Sequence, residues 1–176
     1  MLVKFENLTI RNATKDDAKQ LAAWWNDGAV MAHAGFPKGL GTSADEVVEK
    51  LRGDSDDTHR RLIMECDSIP IGETNYRNVG DGIAEIGIKI CDFSLQNKGL
   101  GKVFLSMLIT ALFEELGYRK IILDTNKDNT RAQHVYETLG FRKVQVRENS
   151  WKNQLGDWQS AVDYELTPKA FVNFAK

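Results

Sequence analysis

The stretch Gln96-Asn97-Lys98-Gly99-Leu100-Gly101-Lys102 sets two glycines and two lysines between an apolar alternating run and an amphipathic one. Upstream, Ala84 to Ile90 alternates Ile86, Ile88 and Ile90 with Glu85, Gly87 and Lys89, the period of a strand. Downstream, Val103, Phe104, Met107, Leu108, Ala111, Leu112 and Leu116 recur at helical spacing, and Gly117 stops the pattern. The loop therefore opens a helix. Free backbone N–H groups and a partial positive charge gather at such an end, and glycines let a phosphate come close. With Lys98 and Lys102 adding formal charge, the expected chemistry is anion binding.

Two nucleotide-binding patterns fail on these residues. A Walker A loop requires glycine at 96 and a hydroxyl residue at 103, where the chain has Gln96 and Val103; a dinucleotide fingerprint requires a third glycine where Phe104 stands. What fits is (Gln/Arg)-x-x-Gly-x-(Gly/Ala), filled by Gln96, Gly99 and Gly101. A second segment, Asn129 to Phe141, sets in order an Asn, a small residue three on (Ala132), Tyr136 and Leu139-Gly140-Phe141. Read as a helix, Ala132, Val135, Tyr136 and Leu139 share a face, Asp128 or Asn129 caps the start and Gly140 ends it. In this order and separation the two segments resemble the signatures of the GNAT N-acetyltransferase superfamily, the first being its coenzyme A pyrophosphate loop.

The elements around these motifs alternate. Leu8 to Arg11 reads as a strand, and Thr14 with Asp17 begins a helix through Asn26 on which Ala18, Leu21, Ala22 and Trp25 share a face. Ala29 to Thr42 reads as a loop, and Ser43 to Glu46 starts a second helix to Leu51. Arg61 to Cys66 and Ile71 to Arg77 form a hairpin about Asp67 to Pro70, and Gly80-Asp81-Gly82 leads into the strand at Ala84. Lys120 to Thr125, Arg142 to Arg147 and Ala161 to Leu166 supply the remaining strands, before a short helix from Pro168.

Composition agrees with this organisation. A length of 176 residues, 42% hydrophobic and 27% charged, suits one domain with a substantial core. A net charge of −2 and the absence of a basic run argue against nucleic acid as partner. No apolar stretch reaches the roughly 20 residues of a membrane span, so no membrane partner and a cytoplasmic setting are expected. Cys66, Cys91 and the three histidines form no ligand cluster, and no metal is expected.

The resemblance covers most of the chain. Leu8 to Thr14 with Asp17, Ala18 and Leu21 is similar to the family's first strand and helix. Trp25-Asn26-Asp27, with Gly156-Asp157-Trp158 and Asp163 to Leu166, resembles the branch that acetylates ribosomal-protein N-termini and polyamines. One departure is the linker Cys91 to Leu95, a residue longer than usual and without proline. The resemblance implies an α/β (α+β) fold: a mixed central sheet of about seven strands, splayed at the cofactor cleft and flanked by helices, in one N-acetyltransferase domain spanning 1–176. It implies transfer of an acetyl group from acetyl-CoA, the co-substrate, to a primary amine of a peptide N-terminus, polyamine, aminoglycoside or small metabolite. A homodimer is one possible assembly.

By the same resemblance Ile88 and Ile90 pair with the pantetheine arm, while Gln96, Asn97, Lys98, Gly99, Leu100, Gly101 and Lys102 hold the pyrophosphate. Asn129 contacts the arm and Tyr136 is the general acid for the CoA sulfur. Glu85, on the polar face of its strand, is the candidate base, directly or through water; Glu73 is the weaker alternative, and an amine arriving neutral needs neither. Trp25, Asp27 and Glu73 are acceptor-side candidates, an aromatic with acids suiting a cation, and Trp24, Trp151, Asp157 and Trp158 are further ones. The alternative function is a non-catalytic acyl-CoA-binding sensor, against which the presence of Tyr136 weighs. A nucleotide-binding α/β domain, responding to ATP or NAD rather than CoA, is a third reading.

Overall fold

The computed structural model describes residues 1–176. Its strands are β1 (Leu2–Phe5), β2 (Leu8–Asn12), β3 (His59–Cys66), β4 (Ile69–Gly80), β5 (Ile83–Ile90), β6 (Lys120–Asn126), β7 (Arg142–Lys152) and β8 (Trp158–Leu166). They form one 8-stranded sheet in the order β1-β2-β3-β4-β5-β6-β8-β7, antiparallel throughout except where β5 meets β6. This is the mixed sheet flanked by helices that the sequence implied, with β1 as a strand the sequence pattern did not reveal. β1 pairs with β2 across a turn at Glu6 and Asn7, with Glu6 at φ 53°. A hairpin turn without glycine gives little sequence signal.

The helices are α1 (Ala18–Asn26), α2 (Gly28–Met31), α3 (Ala44–Arg52), α4 (Leu100–Thr110) and α5 (Thr130–Thr138). Both expected helix starts carry reciprocal caps: Thr14 with Asp17 ahead of α1, and Ser43 with Glu46 at α3. Residues 29–42 are a loop only in part. The Asp27 carboxylate accepts from the Ala29 N–H at 2.9 Å and caps α2, a turn over Ala32–Ala34 follows, and Gly35 at φ 99° ends the helical path. Beyond Thr110 the chain continues as one π turn over Ala111–Glu115, and Gly117 at φ 73° turns it toward β6. The final helix expected from Pro168 is a 3-10 turn to Ala170.

Side-chain alternation sends the two faces of the sheet into different cores. On β3, Leu62 and Met64 join the layer beneath α4 and α5, with Tyr76, Ile86, Phe104, Leu108 and Leu139. Ile63, between them, joins Leu21, Ala22, Trp25 and Val47 under α1 and α3. Phe104 is fully buried at the start of the larger core. Phe104→Ala should lower unfolding free energy by about 3–5 kcal/mol, read from denaturant titration; a loss within about 1 kcal/mol would mean that the core collapses around the gap.

The functionally decisive feature is where β5 and β6 part. They pair only at Ile83–Lys120, Ala84–Ile121 and Glu85–Ile122. From Gly87 to Ile90 the edge of β5 that faces β6 has no strand beside it, and the sheet opens into a cleft. No helix is long and apolar enough to cross a membrane.

Candidate active site

The cleft encloses about 1040 Å³ between the splayed ends of β5 and β6, the start of α4 and the inner side of α5. Gln96, Asn97, Gly99, Leu100, Gly101 and Lys102 form one wall, and Ile88 and Ile90 lie at its floor; Lys98 is the one residue of the expected loop outside the lining. Asn97 at φ 60° and Gly99 at φ 76° reverse the chain into α4. In consequence the backbone N–H groups of Asn97, Lys98, Gly99, Leu100, Gly101 and Lys102 find no acceptor anywhere in the chain. That row of donors at a helix start is built for an oxyanion. The Gln96 amide donates to the Ile90 carbonyl at 2.9 Å, so it ties the loop to the end of β5. Arg131 donates to the Asn97 side chain at 3.1 Å and joins the loop to α5. The unusual linker is ordered by Asp92, which accepts from the N–H and hydroxyl of Ser94 at 3.0 and 2.6 Å.

Gly101 supports a close-approaching ligand by a separate route. A Cβ built there meets nothing nearer than Ile90 Cδ1 at 3.8 Å. Packing within the chain therefore does not require glycine at this position, whereas a phosphate lying on the backbone would. The open N–H row, the space above Gly101 and the nearby Lys102 and Arg131 fit the pyrophosphate of coenzyme A.

Opposite this wall, Asn129 caps α5, accepting from the Ala132 N–H at 3.2 Å while lining the cleft. Tyr136, about two turns further on, is 7% exposed, and its ring is held edge-on between Phe141 and Tyr164 at centroid distances of 5.8 and 5.7 Å. Its hydroxyl has no hydrogen-bond partner in the chain, yet no buried side-chain polar atom is left unpaired. The hydroxyl must therefore look into the cleft that Tyr136 lines. Burial, with a smaller contribution from the charge of Asp124, pushes this phenol up to about 12, so its proton stays in place across the neutral range.

The third wall, formed by Asn75, Glu85, Gly87 and Lys89, belongs to a ladder of side chains on the face of β4 and β5 that looks toward α1 and α2. Register sets Glu73 opposite Lys89, Asn75 opposite Gly87 and Arg77 opposite Glu85. Glu73 and Lys89 pair at 3.3 Å, and Arg77 and Glu85 at 2.7 Å. Of the candidate catalytic and acceptor-side residues, Glu85 lines the cleft as expected, though already bound to a guanidinium. Trp25, Asp27 and Glu73 do not line it. Trp25 is a core residue whose indole N–H donates to the buried Glu73 at 2.8 Å, and Asp27 is spent on its cap.

Sequence reading missed Asn75, Lys89, His33, Asp124 and Arg147, all of which line the cleft. Alternation placed Lys89 on the right face; the others needed strand register or long-range contacts. Trp151 closes the far side by lying on Gly35, where a Cβ would stand 2.4 Å from its ring. Gln154, at the tip of the β7–β8 hairpin, accepts from the Lys38 N–H at 2.8 Å and donates to the Gly39 carbonyl at 2.9 Å. The hairpin thereby fastens the loop after α2.

A family model described as an acetyltransferase (GNAT) domain matches residues 7–142. A curated relative, an uncharacterized protein of Methanocaldococcus jannaschii, is 33% identical over 92 residues, which are 51% of this chain and 19% of that protein; the match spans about a fifth of the relative's length. Solved structures are similar in fold over nearly their whole length. The spermidine N-acetyltransferase of Vibrio cholerae, in complex with CoA and spermine, is 23% identical with a TM-score of 0.84, covering 95% of this chain and 99% of that one. A ribosomal L7/L12 alpha-N-protein acetyltransferase in complex with coenzyme A is 17% identical with a TM-score of 0.85, covering 97% and 99%. The ribosomal-protein-S5-alanine acetyltransferase of Vibrio fischeri is 16% identical with a TM-score of 0.83, covering 98% and 99%.

Proposed function

Because the chain belongs to the GNAT acetyltransferase family, we propose that residues 1–176 act as one N-acetyltransferase domain that moves the acetyl group of acetyl-CoA directly to a primary amine. The observation that carries this reading is the pairing of an open N–H row at Asn97 to Lys102 with the protonated, unpartnered hydroxyl that an otherwise buried Tyr136 turns into the same cleft. The first supports a coenzyme A donor; the second supports turnover rather than binding alone. Two free cysteines, Cys66 and Cys91, suit a reducing, cytoplasmic setting.

Acetyl-CoA supplies the thioester: the amine nitrogen bonds to its carbonyl carbon and gives up one proton, the carbon–sulfur bond breaks, and the sulfur leaves with a proton, so that one proton passes in net from nitrogen to sulfur. The N–H row of the loop and the charges of Lys102 and Arg131 hold the pyrophosphate, and the free β5 edge from Gly87 to Ile90 offers backbone donors and acceptors to the pantetheine amides. Tyr136 donates its proton toward the sulfur as negative charge gathers there. Glu85 takes a proton from the incoming ammonium, directly or through water, for acceptors that do not arrive neutral. Its carboxylate is held by the Arg77 guanidinium at 2.7 Å, which fixes its position on the cleft wall.

The test is thiol release from acetyl-CoA across a panel of amines. Amine-dependent release supports the reading; tight CoA binding without release from any amine would favour the sensor, and stabilisation by ATP or NAD but not CoA would reject the donor. For an accepted amine, kcat/KM should rise with pH as the amine loses its proton, with no alkaline fall centred near the ordinary phenol value of about 10. A fall centred there would show that Tyr136 titrates as an exposed phenol.

A further inference from the structure

Resting on the acetyltransferase reading, we propose that the Asn75 carboxamide and the Lys89 ammonium, flanking a notch at Gly87, recognise the carbonyl or carboxylate oxygen next to the amine of an α-amino acceptor, an amino acid or a peptide N-terminus.

The ladder on β4 and β5 has three rungs, and only the middle one is open. At either end a carboxylate is already held by a cation, Glu73 by Lys89 and Glu85 by Arg77. In the middle, Gly87 contributes no side chain, and the Asn75 carboxamide nitrogen lies 3.0 Å from where a Cβ would stand. His59 approaches the same carboxamide from β3, but the nitrogen donates to no atom of the chain and is open to the cleft. Lys89, two residues along β5 on the same face, keeps donors beyond the one given to Glu73.

The position of the notch matters as much as its chemistry. Gly87 is the first residue on the ladder face of β5 after the last β5–β6 pair at Glu85 and Ile122. A molecule passing through the gap from the side of α4 emerges there. The wall it meets presents donors, Asn75 and Lys89, that want an oxygen. Acceptor groups that want further ammonium ions are scarce: the remaining cleft carboxylate, Asp124, is bound to Arg147 at 3.0 Å. A polyamine brings several cations and no oxygen, and so finds neither counter-ions nor partners. An α-amino compound brings one amine and, two atoms away, the oxygen that this wall can hold.

The experiment compares an alanine-initiated tripeptide, propylamine and spermidine as acceptors with saturating acetyl-CoA, each rate being expressed per neutral amine present. The wild-type chain should favour the tripeptide over propylamine and over spermidine by tenfold or more in kcat/KM. Asn75→Ala should raise the tripeptide KM about tenfold, change kcat and the acetyl-CoA KM by less than about threefold, and leave propylamine within about twofold. Lys89→Arg, which keeps the buried Glu73 paired, should retain the preference, whereas Lys89→Met should lose it. Since Lys89→Met strips that carboxylate of its cation, Asn75→Ala decides the matter if it fails to fold. Equal use of tripeptide and propylamine, preference for spermidine, or an unchanged preference in Asn75→Ala would overturn the proposal while leaving acetyl transfer standing. Thiol release with none of the amines would instead overturn the acetyltransferase reading and this proposal with it.

Discussion

Tyr136→Phe should lower kcat by about 10²- to 10⁴-fold, the loss expected when a positioned proton donor is removed, while acetyl-CoA affinity stays within about threefold. The substitution is unusually clean. The ring packing against Phe141 and Tyr164 survives it, and the hydroxyl it deletes has no partner in the chain. Stability should therefore change by no more than about 0.5 kcal/mol, so a fall in rate cannot be blamed on misfolding. A variant with full activity would remove Tyr136 from the chemistry and leave it as a core aromatic.

Gly101→Leu should weaken CoA binding by about 10- to 100-fold, corresponding to the removal of one or two charge-assisted N–H hydrogen bonds to phosphate at about 1.5 kcal/mol or more each. Gly99 is the less informative position, because its φ of 76° strains any replacement whatever binds nearby. Gly101 lies in the first turn of α4 with 3.8 Å to its nearest neighbour, so a side chain there obstructs the ligand and not the fold. Gly101→Ala should weaken binding by less than Gly101→Leu, and both should melt no lower than the parent, since glycine is the poorer helix former by about 1 kcal/mol. Unchanged CoA affinity in Gly101→Leu, measured by calorimetry, would count against the loop as the pyrophosphate site.

The geometry of the loop side of the cleft was legible because its signals are local. The glycines, the helix start and the Asn129 cap all lie within a few residues of what they organise, and backbone conformation at Asn97 and Gly99 follows from residue type. The ladder on β4 and β5 was not, because strand register builds it. That Asn75 faces Gly87, that Arg77 neutralises Glu85, and that Lys89 reaches Glu73 depends on how β4 meets β5. Gln154 reaches Gly39 across 115 positions, a contact no short pattern announces. The same physics explains Trp25 and Glu73: an aromatic beside acids looks like a cation site in sequence, but helical spacing turns Trp25 inward, and a buried carboxylate needs the indole and ammonium it finds there. In the fold, Glu6 and Asn7 hid β1, and the Asp27 cap made helical turns out of what read as loop.

The most direct measurement counts both products of one reaction: acetyl-CoA and an α-amino acceptor are incubated with the chain, released thiol is titrated, and acetylated acceptor is quantified by mass spectrometry. Direct transfer predicts equal amounts of thiol and N-acetylated product, with both lost together in Tyr136→Phe. Thiol appearing without acetylated acceptor, or acetylated acceptor forming equally well without the protein, would contradict it.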